Sequence, residues 1–153
     1  MGAKVIGVDI NDEILANVKS QGADVTFNSR TNPTYVQEIR ILTNGGAPAV
    51  AVFSNADAAY KSAPPLIKLG GILMVVGLPH NGVTLDALDI ARGTYRVKGD
   101  STGIPQRMPK AIEFTAKHNI KPDVEVRHSL YEVPDMVATM KAGKNTKRMV
   151  VCL

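Results

Sequence analysis

Gly70-Gly71-Ile72-Leu73-Met74-Val75-Val76-Gly77-Leu78-Pro79 is the stretch whose reading decides the fold. Its centre, Ile72 to Val76, is an unbroken apolar run between glycines, too short for a helix and lacking the polar alternation of a half-exposed strand. Such a run predicts a β-strand buried on both faces, near the centre of a parallel sheet. Gly77-Leu78-Pro79 ends it as a turn. Moving outward, Ala49 to Phe53 on one side and Tyr95 to Gly99 on the other have the same character. Lys4 to Asp9, Val25 to Asn28, Val124 to Arg127 and Met149 to Cys152 extend the series to both ends.

Segments of helical period separate these runs, and strands alternating with helices are the pattern of a parallel sheet with crossover helices. Asn11 is placed to cap a helix carrying Ile14, Leu15 and Val18 on one face, with Gly22 suited to the left-handed residue after its end. Asn32 before Pro33 predicts a second helix start, with Val36, Ile39 and Leu42 as the buried stripe and Gly45-Gly46 as the stop. A helix from Asp57 is expected in two pieces, because Pro64-Pro65 cannot continue it; Gly70-Gly71 would end the second piece. Pro105 to about His118, with Met108, Ile112 and Phe114 or Thr115 turned inward, and Pro134 to Ala142 complete the helices. The fold class is therefore α/β, a doubly wound parallel sheet of about six strands, in one domain spanning residues 1–153.

Composition narrows the function. Hydrophobic residues make up 44% of the chain and charged ones 21%, close to globular averages, which excludes disordered and fibrous classes. No apolar run approaches the ~20 residues of a bilayer span, and the start lacks a signal peptide's pattern, so a soluble, cytoplasmic protein is expected, with no membrane partner. The single cysteine, Cys152, leaves no internal disulfide and no cysteine-based metal site. The net charge of +4 brings nucleic acid into view, but the basic residues are dispersed and there is no tryptophan, so no stacking platform accompanies a basic stripe. The densest basic stretch, Lys141 to Arg148, suits a solvated helix end. A small-molecule ligand is the better expectation.

Asp9 closes the strand Val5-Ile6-Gly7-Val8-Asp9. At the carboxyl edge of a parallel sheet, an acid there can accept hydrogen bonds from two ribose hydroxyls; it can equally be an ordinary helix-leading residue. A dinucleotide fold also needs a strand and a G-x-G-x-x-G turn roughly 20 residues earlier. Only eight residues precede Asp9 here.

Taken in order, MGAKVIGVD at the start, GGILMVVGLP in the middle, and IKPDVEVRHSL followed by MKAGKNTKRMVV at the end resemble the medium-chain dehydrogenase/reductases, specifically zinc-type alcohol dehydrogenases. The resemblance covers essentially the whole chain and implies their cofactor-binding domain alone, a Rossmann-like sheet lacking its first strand and glycine-rich turn. It implies that Asp9 grips the adenosine ribose and favours NAD over NADP, since a carboxylate repels a 2′-phosphate. It implies further that Ser54 and Asn55 run past the adenosine, that the backbone of Gly77, Leu78 and Pro79 reaches the nicotinamide, and that Arg148 lies near the pyrophosphate. Each also has a plain structural reading, as cap, turn or exposed charge. In that family both zinc sites belong to the N-terminal catalytic domain. His80, His118 and His128 are widely spaced, so no zinc is expected, NAD binding is expected to be weak or lost, and dehydrogenase activity by this chain alone is expected to be little or none.

Two departures from the family pattern leave an alternative open. Asp100 follows Gly99 where a small or hydroxyl residue is usual, and His80 follows the Gly77-Leu78-Pro79 turn. Both would stand at the carboxyl edge, where a carboxylate-oriented histidine can act as a general acid or base. The alternative is a cofactor-independent lyase, isomerase or cyclase acting on a small apolar metabolite through His80 and Asp100. A non-catalytic interaction protein is the further one. The resemblance also implies a homodimer joined through a sheet edge around Gly82 to Leu85.

Overall fold

Asn11 opens the first helix as expected: its side-chain oxygen accepts from the backbone N–H groups of Glu13 (2.9 Å) and Ile14 (3.4 Å). The structure is a computed structural model describing residues 2–100 and 103–153. Strand β1 (Ile6–Asp9) leads into helix α1 (Asp12–Ser20), which buries Leu15 with Ile14 and Val18 half-buried beside it. Gly22 follows with φ +106°, a left-handed stop. Strand β2 (Val25–Asn28) then pairs with β1 in parallel, Ile6 opposite Val25 and Asp9 opposite Asn28.

Helix α2 (Tyr35–Leu42) begins later than Asn32 and Pro33 suggested. The Asn32 side chain accepts from the Thr34 N–H and hydroxyl (both 2.9 Å), forming a turn ahead of the helix. The buried stripe is Tyr35, Val36 and Ile39; Leu42, in the last turn, lies outside the cluster they join and is 55% exposed. Strand β3 (Ala47–Val52), helix α3 (Asp57–Ser62), a 3-10 turn (Pro64–Leu66) and strand β4 (Ile67–Val75) follow. The proline pair divides the helical stretch as expected, but Gly70-Gly71 lies inside β4 rather than ending a helix. The β3–β4 register shifts there, between Ala47 and Ala49, so the pair accommodates an irregular ladder. A short helix that the sequence did not announce, α4 (Ala87–Ala91), is capped by the Asp86 carboxylate on Leu88 N–H (2.8 Å). Strand β5 (Tyr95–Gly99), helix α5 (Met108–Lys117), strand β6 (Val124–Arg127), helix α6 (Val133–Lys141) and strand β7 (Arg148–Val151) complete the order.

The chain thus has seven strands among the described residues, all paired in parallel, where about six in one sheet were expected. They form three hydrogen-bonded pieces: β1-β2, β3-β4-β5 and β6-β7. The winding explains the break between the first two. A Cβ on Gly7 would stand 2.7 Å from Val18 Cγ1, so α1 lies against the face of β1 that Gly7 presents, closely enough to require glycine. Ile6 points the opposite way and joins Phe27 and Val50 around Tyr35, Ile39 and Leu66, which puts α2 on the other face. Parallel crossovers are right-handed, so helices on opposite faces carry the chain in opposite directions. The chain steps from β1 to β2 one way and returns past β1 to β3. The resulting order, β2-β1 then β3-β4-β5, is the doubly wound 3-2-1-4-5-6 with the position between β1 and β3 filled by none of the described residues.

Leu73, fully buried, joins Val52, Tyr60, Ala63, Ile67 and Tyr95 in the larger core beneath β3-β4-β5. The opposite face is less covered than the apolar run predicted. Ala49 and Ala51 are exposed there and Ile72 and Met74 only half-buried. Met108 (56%) and Ile112 (62%) of α5 are also exposed rather than turned inward. None of the helices is long and apolar enough to cross a membrane.

Candidate cofactor site

The carboxyl ends of β1 and β2 form one hydrogen-bonded corner. Asp9 Oδ1 accepts from the N–H groups of Ile10 (2.7 Å) and Asn11 (3.0 Å), which fixes the carboxylate over the turn into α1. Its second oxygen accepts no hydrogen bond from the described residues, leaving it open to a donor outside the chain. Asn28, directly opposite Asp9 in register, holds the corner together. Its amide nitrogen donates to Asp12 (2.6 Å) and more weakly to the Ile10 carbonyl (3.4 Å), while its oxygen accepts from Arg30 and Thr31 N–H. The sequence reading passed over Asn28, although it closes Val25-Thr26-Phe27-Asn28 as Asp9 closes its own strand.

The ends of β3 and β4 meet in a second corner. The N–H groups of Val76 (3.1 Å) and Gly77 (2.8 Å) both donate to the Val52 carbonyl. A Cβ on Gly77 would lie 2.2 Å from the Ser54 carbonyl oxygen and 2.5 Å from that of Phe53, so the two chain segments touch backbone to backbone. This brings Ser54 and Gly77 together and gives Gly77 a steric reason to be glycine. Ser54 Oγ accepts from Ala56 N–H (3.1 Å), and Asn55 is exposed beside it. Pro79 is buried and Leu78 is 65% exposed. From below, the Tyr60 hydroxyl donates to the Gly77 carbonyl. Burial pushes the Tyr60 phenol above its usual range, partly offset by backbone hydrogen bonding. Tyr60 was another residue missed; its signal was a lone aromatic in the Ala-rich turn of α3.

His80 and Asp100 do lie just beyond neighbouring strands, since Asp100 N–H donates to the Val75 carbonyl (3.0 Å). Both side chains are exposed, and no hydrogen bond joins them. Arg148 opens β7 opposite Val124, the first residue of β6, and is exposed. It is thus at the amino end of its strand pair, with no described side-chain hydrogen bond or ion pair to the two corners. That pair is tied to α1 by Asn17 donating to Asp123 (3.2 Å) and Thr146 to Glu13 (3.2 Å). His118 and His128 are exposed.

Two anchored corners at the carboxyl ends of parallel strands are where open α/β sheets receive ligands. Residues 1–117 match the family model of zinc-binding dehydrogenases. The chain belongs to that family. Among solved structures, the alcohol dehydrogenase of the hyperthermophilic archaeon Aeropyrum pernix superposes with a TM-score of 0.85 at 22% identity, over 99% of this chain and 43% of its own. An NAD-dependent alcohol dehydrogenase gives 0.82 at 22%, over 99% and 44%. A quinone oxidoreductase of Pseudomonas syringae pv. tomato gives 0.80 at 17%, over 99% and 50%. At these identities the likeness is one of fold. This chain spans half or less of the length of those three structures. The described residues contain no group of three or more His, Cys, Asp or Glu able to hold a metal, and Cys152 is exposed and free.

Proposed function

We propose that this chain is the NAD(H)-recognising part of an alcohol-dehydrogenase-type oxidoreductase. The observation that carries the reading is the half-occupied Asp9 carboxylate: one oxygen is fixed by two backbone N–H groups and the other is free to accept from ribose hydroxyls. Asp9 would hold the adenosine ribose and disfavour a 2′-phosphate. Ser54 and Asn55 would flank the adenosine, and the backbone of Gly77 to Pro79 would face the nicotinamide. When bound, the nicotinamide accepts or gives a hydride; the role of these residues is to orient it and exclude water. Residues 1–153 contain no G-x-G-x-x-G turn to cradle the pyrophosphate, so affinity by this chain alone is expected to be weak and alcohol turnover little or none.

Calorimetric titration with NADH, and separately with NADPH, tests this. The expected result is weak binding of NADH and weaker binding of NADPH. No heat and no change in NADH fluorescence at millimolar cofactor would refute it.

Self-association through a sheet edge belongs to the same reading, and β5, which among the described residues pairs only with β4, offers one. Gly82 to Leu85, the stretch the resemblance implies at that interface, leads into α4, with Val83 and Leu85 half-buried against the core. Light scattering is expected to show a dimer; a monomer at high concentration removes this part of the proposal.

A further inference from the structure

The β3–β4 ladder ends at Val52 and Val75, and beyond it the Val52 carbonyl takes the N–H groups of both Val76 and Gly77. The next peptide, between Gly77 and Leu78, has no strand partner, and glycine leaves its own dihedrals open. The Tyr60 hydroxyl supplies the missing constraint. Tyr60 is 1% exposed, its ring set among Val52, Ala63, Leu73 and Tyr95, and its hydroxyl proton goes to the Gly77 carbonyl. The Val52 carbonyl, 3.5 Å away and already accepting from two N–H groups, is the weaker acceptor. A phenylalanine would fill the same space without the cost of burying a hydroxyl, so packing alone does not account for tyrosine here.

A trans peptide is planar, with its C=O and N–H pointing in opposite directions. Among the described residues no peptide bond is cis. Holding the Gly77 carbonyl inward on the core therefore turns the Leu78 N–H outward at the carboxyl end of β4. That N–H has no acceptor among the described residues, and Leu78 is largely exposed. On its other side Pro79 is buried, and a residue preceding proline is held to extended backbone. The donor is thus fixed from both sides and open to a ligand. We propose that Tyr60 is a positioning residue for the cofactor, aiming the Leu78 N–H at the nicotinamide carboxamide from within the core. The proposal rests on the reading that the Gly77 to Pro79 backbone faces the nicotinamide. A donor held in place before the ligand arrives spares part of the ordering cost of binding.

Two measurements on Tyr60→Phe test it. The first needs no cofactor: the amide residual dipolar coupling of Leu78 reports the direction of its N–H bond. It is expected to change in the variant, while the couplings of Val50 and Leu73 inside the β3–β4 ladder stay as in the wild type. An unchanged Leu78 coupling overturns the positioning role. The second is calorimetric titration with NADH and with ADP-ribose, which keeps the adenosine and pyrophosphate but lacks the nicotinamide. Tyr60→Phe is expected to weaken NADH binding about three- to tenfold, the loss of one well-placed hydrogen bond, and to leave ADP-ribose binding as in the wild type. A merely structural tyrosine would move both ligands alike or neither, and either result overturns the proposal. A wild type that binds ADP-ribose and holds NADH no more tightly overturns it too, while leaving the Asp9 reading intact. A wild type that binds neither ligand refutes that reading and the proposal with it. If Tyr60→Phe does not fold, a ring-fluorinated tyrosine at position 60, nearly the same shape with a more acidic hydroxyl, takes its place. The Gly77 carbonyl-carbon and Leu78 amide resonances are then expected to shift, and their staying still overturns the inference.

Discussion

Replacing Gly77 by alanine tests the contact on which the second corner is built. The added Cβ would stand 2.2 Å from the Ser54 carbonyl oxygen, 2.5 Å from that of Phe53 and 2.6 Å from the Ser54 carbonyl carbon. All three are backbone atoms, so no side-chain rotation relieves the clash, and the ends of β3 and β4 must part by about 1 Å to reach ordinary contact. Overpacking of this kind costs about 1–3 kcal/mol, offset by about 0.4–1 kcal/mol from the stiffer unfolded chain. The net loss should be about 1–2 kcal/mol, or roughly 2–8 °C in melting temperature for a chain of this size. Gly99 supplies the control: it ends the neighbouring strand β5, and a Cβ there meets nothing within 4 Å. Urea unfolding followed by circular dichroism should show a lowered midpoint for Gly77→Ala and an unchanged or slightly raised one for Gly99→Ala. Equal midpoints for the two variants would refute the contact. In NADH titration, Gly77→Ala should also lose affinity relative to Gly99→Ala, because parting the two strands displaces the backbone assigned to the nicotinamide.

Asp9→Asn keeps an oxygen for the Ile10 and Asn11 amides but removes the charge. NADH affinity should fall about tenfold, with NADPH discrimination shrinking toward unity, as read by calorimetry. Tyr60→Phe leaves the Gly77 carbonyl without its donor and should cost about 1–2 kcal/mol in urea unfolding. Burial raises the phenols of both Tyr60 and Tyr95. Their contribution to stability is present below the ordinary tyrosine range, and is lost as pH rises through that range toward their raised folded values. Alkaline unfolding monitored by tyrosinate absorbance should therefore be shallower in Tyr60→Phe than in the wild type. His80→Ala and Asp100→Asn should each change stability by less than about 0.5 kcal/mol, since both side chains are exposed and unjoined. A larger coupling in the double-mutant cycle would show that they act as a pair.

Strand positions were legible where the residues themselves carry the boundary. Val25 to Asn28, Tyr95 to Gly99 and Val124 to Arg127 begin on a β-branched or aromatic residue and end on a polar residue or glycine, and the structure keeps those limits. Helix α4 was not legible, because five residues show no period and only Asp86 marks its start. Gly70-Gly71 misled because a glycine pair ends helices and interrupts ladders equally well; the shifted β3–β4 register settled it as the second. Asp9 could be singled out as a candidate from its place at a strand end, and Gly77 only from the resemblance. Asn28 and Tyr60 could not, since each acts through a partner that only the register or the core brings near.

The apolar stripes that failed to be buried carry the most information. Met108 and Ile112 share one face of α5, and Ala49 and Ala51 share one face of β3, yet all four are exposed. Periodicity encodes which face of an element is to be covered and says nothing of what covers it. Ala49 and Ala51 are small and exposed on β3, so Ala51→Leu should change stability, read from the urea midpoint, by less than about 0.5 kcal/mol. A loss of about 1–3 kcal/mol, the cost of overpacking, would mean instead that this face is covered in solution.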